Sequence, residues 1–194
     1  MTEQKKMETG QYYKSDDPEL IRKRQCAKEK LHEINCLCPC KVEERNACLR
    51  KLIKHIDINF WIEPPFYCDY GSYLEIGKNF YANHNVTILD GGGVQIGNFV
   101  FLGPNVHIYT INHPLDAKQR NKGLEKGEPV IIKDNVWIGG NTTINPGVVI
   151  GKNSVIGSGS VVTKDIPDNV IAAGNPCQVI RKITDQDKID SDKI

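Results

Sequence analysis

A six-residue phase runs through most of positions 74–165 of this chain. From Val94 it reads VQIGNF, VFLGPN, VHIYTI, and after a break it resumes at Val130 as VIIKDN, VWIGGN, TTINPG, VVIGKN, SVIGSG, SVVTKD. The third place is Ile96, Leu102, Ile108, Ile132, Ile138, Ile144, Ile150, Ile156 and Val162, with no polar residue among them. The first place is Val, Ser or Thr, and Gly often follows the aliphatic. Places one and three of a short strand point to the same face, so each hexad presents one small and one large side chain to a common core. Three such strands with their turns make a triangular coil, and stacked coils bury a core that no single hexad could. The pattern predicts a mainly β chain built as a parallel β-helix.

The flanks have other periods. Asp17-Pro18-Glu19 has the form of a helix start, with Asp as N-cap, Pro at the first helical position and a carboxylate in the first turn. Leu20, Ala27, Leu31 and Ile34 then fall on one helical face. Cys36 to Lys41 reads as a turn, and a second helix is expected from about Glu43 with Cys48, Leu49, Leu52, Ile53 and Ile56 inward. The expected organisation is a helical cap over 1–55, the β-helix over 56–183 and a polar tail over 184–194. Residues 56–73 should form an irregular first coil, followed by LEIGKN, FYANHN, VTILDG over 74–91 and a two-glycine bulge at Gly92 and Gly93. The stretch 112–129, NHPLDAKQRNKGLEKGEP, has no apolar period and should leave the coil as an excursion, of a length that is usually functional or disordered.

Twenty-five basic against twenty-four acidic residues give a net charge of +1, so no bulk field recruits nucleic acid or an anionic membrane. MTEQKKMETG lacks the apolar core of a signal peptide, and no stretch approaches the length of a membrane span. A cytoplasmic location is expected. The seven cysteines are an odd number, and five lie in the first fifty residues. Cys36-Leu-Cys-Pro-Cys40, with Cys48, invites a structural-metal reading, but zinc sites usually pair two Cys-x₂₋₄-Cys or His units. Reduced, partly buried thiols are the preferred reading.

Five stretches carry a resemblance to a known family: WIEPPFYCDYGS, IGKNFYANHNVTILD, NHPLDAKQR with GLEKGEPV, NVWIGGNTTINPGVVIG, and SVVTKDIPDNVIAAGNPCQVIR. They lie between Trp61 and Arg181, and the resemblance as a whole, helical front end included, covers roughly residues 8–183: the chain resembles the hexapeptide-repeat acyltransferases of the maltose and galactoside O-acetyltransferase branch. The resemblance implies a left-handed β-helix, an exception to the usual right-handed crossover. It further implies a homotrimer with sites in the clefts between subunits, acetyl-CoA as donor with no metal required, and a sugar hydroxyl as acceptor.

Acyl transfer to a hydroxyl needs a base, and a neutral imidazole can take that proton, a contribution of about 10²–10⁴-fold. The resemblance places that base at His113, in a His-Pro pair that opens the excursion. Glu125, at the far end of the excursion, could return to orient the other imidazole nitrogen, a role a backbone carbonyl can also fill. The resemblance assigns Asn83 to transition-state stabilisation, worth about 10²–10³-fold for a preorganised donor. It matches Asp69 and Tyr81 to the acceptor pocket. On the donor side it implies Gly140, whose N–H would face the thioester. Ser158, Thr163 and Lys164 would hold the pantetheine arm and phosphates, and Arg181 would meet phosphate. Trp137 should face outward at a subunit contact. Two positions depart from the family. A carboxylate pair becomes Asp90-Gly91, and a front-end acidic position falls at Lys14, Ser15 or Asp16.

Two readings from other classes compete. A γ-class carbonic anhydrase shares the left-handed helix and binds zinc through three histidines. His107 and His113 are six apart, on equivalent faces of successive strands, and His84 is near. A non-catalytic trimeric scaffold is the second. Within acetyltransferases, an amino sugar, serine or an antibiotic hydroxyl could replace the sugar.

Overall fold

The computed structural model describes residues 1–190. Most of it is a left-handed parallel β-helix of three sheets. The first sheet holds Phe66–Cys68, Val86–Leu89, His107–Tyr109, Thr143–Ile144 and Val161–Val162, and the second runs from His55–Ile56 to Val149–Ile150. The third begins at Trp61–Ile62, passes through Tyr81–Ala82, Phe101–Leu102, Trp137–Ile138 and Val155–Ile156, and closes on Val170–Ala173 and Gln178–Lys182. All pairs within the stack are parallel until the last, where Val170–Ala173 meets Gln178–Lys182 antiparallel. That reversal ends the helix with a hairpin.

Register follows the hexads. Ile132 pairs with Ile150, Ile138 with Ile156 and Ile144 with Val162, so like places stack on like places. The nine third-place aliphatics are at most 4% exposed. Burying each contributes roughly 1.5–3 kcal/mol relative to exposure. Where the first place is polar, its hydroxyl finds a carbonyl: Thr142 donates to Gly157 O and Ser154 to Pro167 O. Buried hydroxyls are tolerated because each is paired.

The sixth place carries a second signal. Most corners of the coil turn through a left-handed residue, with φ of 55–62° at Asn79, Asn85, Asn105, Asn135, Asn141 and Asn153. Asn tolerates that region better than other residues with a Cβ. The same amides then stack between coils, Asn135 Nδ2 donating to Asn153 Oδ1 and Asn153 Nδ2 to Asn169 Oδ1. Phe99 occupies the same corner place with φ of 55° and a ring 44% exposed.

At the front end, α1 (Glu3–Glu8) precedes a short strand, Tyr13–Lys14, and then α2 (Pro18–Cys36) and α3 (Val42–Leu52). The Asp17 side chain accepts from the N–H of Glu19 and Leu20, and Leu20, Ala27, Leu31 and Ile34 are buried, as the spacing predicts. Helix α3 ends sooner than expected, so Ile53 is its C-cap and Ile56 belongs to the first strand of the stack. Ala27, Leu31, Ile34, Leu49 and Leu52 share one continuous core with the coils, so the helices cover the open end of the stack. Among the described residues no helix is long and apolar enough to cross a membrane. The expected tail is described as far as residue 190, with a 3₁₀ turn at Asp185–Asp187, and 191–194 lie outside the described residues.

The excursion is ordered. Ile111–Asn112 pairs antiparallel with Leu124–Gly127, a one-turn helix at Ala117–Arg120 lies between, and Tyr13–Lys14 adds a third strand. Polar composition hid this ribbon, whose pairing uses backbone rather than an apolar face.

Phe99→Asn should stabilise the folded chain by about 1 kcal/mol, since the change removes the left-handed penalty on a residue with a bulky Cβ substituent. Chemical denaturation of the two proteins at equal concentration measures the difference.

Candidate active site

His113 sits at the foot of the excursion ribbon, in a cleft of about 250 Å³ lined by Tyr13, Ser15, Arg24, Asp69, Tyr70, Leu89, Ile111 and Glu125. Its Nδ1 lies 3.3 Å from the Leu124 carbonyl. A carbonyl can only accept, so Nδ1 carries a proton, and in the neutral imidazole Nε2 is the nitrogen with the lone pair. Of the two partners left open for this nitrogen, the backbone carbonyl and not Glu125 makes the contact. The Glu125 carboxylate accepts from the Tyr13 hydroxyl at 2.6 Å, because strand register sets Tyr13 opposite Glu125. Burial and this carboxylate raise the Tyr13 phenol far above its ordinary range.

Arg24 organises the opposite wall. One guanidinium nitrogen donates to the Tyr70 hydroxyl and another to the Ser15 carbonyl, each at 2.6 Å. Ser15 in turn donates its N–H to Gly123 O, tying the front end to the excursion. Of the three candidates for the family's acidic position, Ser15 is the one that lines the cleft. Burial raises the Asp69 carboxyl above the usual carboxylate range, opposed by the Arg24 charge and reinforced by Glu125.

Asp90 is turned away from this cleft. It is fully buried and accepts from the backbone N–H of Tyr70 at 2.8 Å and of Tyr73 at 3.2 Å. Burial pushes its carboxyl up to about 6. The surviving half of the expected carboxylate pair therefore shapes the segment after Asp69 rather than meeting ligand.

Asn83 and Tyr81 line a different cavity. It has a volume of about 430 Å³ and also takes in Phe101, Pro104, Trp137, Gly140 and Ser158 on the outer face of the third sheet. The Asn83 Oδ1 accepts from the His84 N–H at 2.7 Å, which orients the amide and leaves its Nδ2 donors for a ligand. The floor is bare backbone. A Cβ on Gly103 would stand 2.5 Å from Gly140 N, and one on Gly139 would stand 2.6 Å from Ser158 N. Only glycine allows coils to stack this closely there. The Gly140 N–H has no acceptor among the described residues, which leaves it for a ligand.

Thr163, Lys164 and Arg181 lie exposed near the far end of the stack, outside both cavities. Arg181 is held in a two-pronged pair with Asp187 at 2.8 and 2.6 Å. That pair drives the Asp187 carboxyl far below its usual range. Three of the chain's histidines stand apart: His84 Nδ1 meets Pro64 O, His107 lies on a sheet strand and His113 meets Leu124 O. Among the described residues no three His, Cys, Asp or Glu side chains converge on a metal-binding position.

A bacterial transferase hexapeptide model matches residues 129–164, and a maltose acetyltransferase hexapeptide capping motif matches residues 6–57. A putative acetyltransferase of Saccharomyces cerevisiae is 58% identical over 92% of this chain and 91% of its own length. The chain belongs to the hexapeptide-repeat acetyltransferases. The crystal structure of a maltose O-acetyltransferase from Clostridium difficile 630 superposes with a TM-score of 0.94 at 46% identity, covering 95% of this chain and 99% of that one. A galactoside acetyltransferase in complex with coenzyme A superposes at 0.93 and 43% identity, covering 98% and 96%.

The polar residues that sequence reasoning missed in the His113 cleft are Tyr13, Arg24 and Tyr70. One of them left a signal. Arg24 falls four residues after Leu20 and three before Ala27, on the buried stripe of α2, where a cation needs a partner.

Asp90→Ala should cost about 2–5 kcal/mol of stability, since two N–H groups behind a buried wall lose their acceptor. The pH dependence has a definite sign. The folded carboxyl titrates at about 6, above its unfolded value of 3.8, so this group's contribution is greatest below pH 4 and declines as pH rises through 6. That slope should be missing from Asp90→Asn in denaturation series run between those limits.

Proposed function

We propose that this chain moves an acetyl group from acetyl-CoA to a hydroxyl of a sugar, as a homotrimer in which the His113 cleft of one subunit faces the Asn83 groove of the next. The reading is carried by the imidazole of His113, whose Nδ1 meets a carbonyl and which lines a cleft with two carboxylates. Asp69 and Glu125 supply acceptors for sugar hydroxyls, and Ser15 and Arg24 shape the same cavity. The groove suits the donor, because its glycine floor lets an extended thioester lie on backbone. The two cavities lie apart in one chain, and the groove shares its face with Trp61, Phe101 and Trp137, each 41–56% exposed. A second copy seated there would cover the aromatics and unite the half-sites.

In this mechanism Nε2 takes the proton of the acceptor hydroxyl as its oxygen attacks the thioester carbon. The negative charge that forms on the carbonyl oxygen is met by donors such as Asn83 Nδ2 or Gly140 N–H. The carbon–sulfur bond then breaks, and the imidazolium returns its proton to the CoA thiolate. Acetyl ester and free CoA leave. The reaction is placed in the cytosol, in keeping with seven cysteines that are all unbridged.

His113→Ala should lower kcat by about two to four orders of magnitude while acetyl-CoA still binds. Asn83→Ala should lose about 10²–10³-fold. Mixed trimers of the two variants provide the sharper measurement. When His113→Ala and Asn83→Ala chains are co-assembled, some interfaces pair an intact His113 with an intact Asn83, and activity should return well above either parent. Mixtures as inactive as the parents would place both residues in one chain's site and overturn the arrangement.

On the donor side, Lys164→Ala and Arg181→Ala should weaken acetyl-CoA binding without changing the apparent affinity for the acceptor. Arg181 must exchange Asp187 for phosphate, so Asp187→Ala should tighten acetyl-CoA binding in calorimetry. Unchanged affinity in all three variants would remove the C-terminal end of the stack from the donor site.

A further inference from the structure

The turn between α2 and α3 carries Cys38-Pro39-Cys40, distant in sequence from both cavities and lining neither of them. The two sulfurs are 2.9 Å apart, closer than unbonded sulfurs ordinarily rest, and both residues are exposed. The contact is asymmetric. A hydrogen bond from the Cys40 thiol holds Cys38 below the usual thiol range, aided by Lys41, and the same contact raises Cys40. One sulfur is thus disposed to act as thiolate and the other as its proton-bearing neighbour. Lys41 N–H donates to Cys38 O at 2.9 Å, so the backbone is already folded back into the turn that brings the sulfurs together.

A bridge here would close a ring of only three residues. Loop-closure stabilisation grows with ring size, so such a link adds little to folding. Exposed and strained bridges are the labile ones, readily reduced again. The pair is therefore suited to exchange rather than to stapling the cap.

We infer that Cys38 and Cys40 form a dithiol site that reacts with small-molecule disulfides by thiol–disulfide exchange. Cys38 thiolate attacks one sulfur of the small disulfide, forming a mixed disulfide and releasing one thiolate. Cys40 then loses its proton to solvent and attacks the Cys38 sulfur, closing the Cys38–Cys40 bond and releasing the second thiolate. Two protein thiols are oxidised by two electrons, and one small disulfide becomes two thiols. Cys38 is the attacking residue and Cys40 the resolving one. Cys36 is also exposed, but its Sγ lies 3.8 Å from His32 Nδ1 and makes no contact with the pair.

The test uses the full-length protein in buffers of reduced and oxidised glutathione, followed by mass spectrometry of the tryptic peptide that ends at Lys41. The wild type should lose two hydrogens from this peptide in oxidising buffer and regain them in reducing buffer. Cys36→Ser should behave as wild type. Cys40→Ser should instead accumulate glutathione on Cys38, and Cys38→Ser should give neither product. In competition with limiting alkylating agent, Cys38 of the wild type should react about tenfold faster than the exposed Cys26. All three serines replace exposed thiols, and circular dichroism confirms the fold. A wild-type peptide that stays reduced throughout, a bridge that forms equally in Cys38→Ser, or a Cys40→Ser protein carrying no more glutathione on Cys38 than on Cys26 would each overturn the proposal.

Discussion

The in-register stacking of one coil on the next is the constraint on which the rest of this structure depends. Parallel strands hold neighbouring coils about 4.8 Å apart, so whatever occupies an inward place in one coil touches the same place in the next. The ladder Ile76–Ile96–Ile132–Ile150 is that rule in side chains. It also decides what insertions are allowed. The excursion leaves after Thr110 and returns at Val130 without disturbing the ladder, because Ile96 still meets Ile132. A loop may be of almost any length there if its two ends close on themselves, and the antiparallel pairing of Ile111–Asn112 with Leu124–Gly127 provides that closure. The candidate cleft is carried on an appendage whose foot is fixed by the core.

The His113 cleft shows how such an appendage is made rigid. Three segments far apart in sequence meet there. The Tyr13–Lys14 strand completes the ribbon, Arg24 on α2 reaches Ser15 and Tyr70, and Asp90 beneath the wall holds Tyr70 and Tyr73 by their N–H groups. Each link is a hydrogen bond to backbone or between partly buried groups, where pairing costs least solvation and misplacement costs most. The front-end helices, which cover the open end of the stack, thus also supply one wall of the cleft.

What was legible in the sequence follows the same division. Repetition is averaged over many coils, so the phase of Ile96 to Val162 and the three-sheet architecture could be read directly. The cap of α2 could be read because Asp17, Pro18 and the Leu20–Ile34 stripe act locally. The sixth-place Asn and Gly were a further periodic signal, and they mark the left-handed corners. The excursion ribbon could not be read this way, since its pairing with Tyr13 is non-local and its side chains are polar. The same holds for His113. The motif located the residue, but its partner was settled by strand register, which sends Glu125 to Tyr13 and leaves the Leu124 carbonyl for the imidazole. The donor and acceptor positions inferred by resemblance divide between two cavities and the far end of the stack for a similar reason. A repeat places residues on faces of a prism: Asp69 directly follows a strand of the first sheet, and Tyr81 lies on a strand of the third.

A three-sided prism also favours one kind of assembly. Its outward rows repeat coil by coil, so Trp61, Tyr81, Phe101 and Trp137 form a continuous apolar ladder along one sheet. Apolar surface gathered in a row, unlike single exposed side chains, marks a surface meant to be covered. Contact between one face of a chain and a different face of its neighbour is head-to-tail, and it ends in a ring only if the rotation closes. In the proposed assembly that rotation closes with three copies. In the proposed trimer every interface then joins one groove to one cleft, and the count of complete sites equals the count of chains. A dimer built on the same contact would leave one groove and one cleft unpaired. The geometry that makes the core by repetition would in this way also set the number of subunits that complete the chemistry.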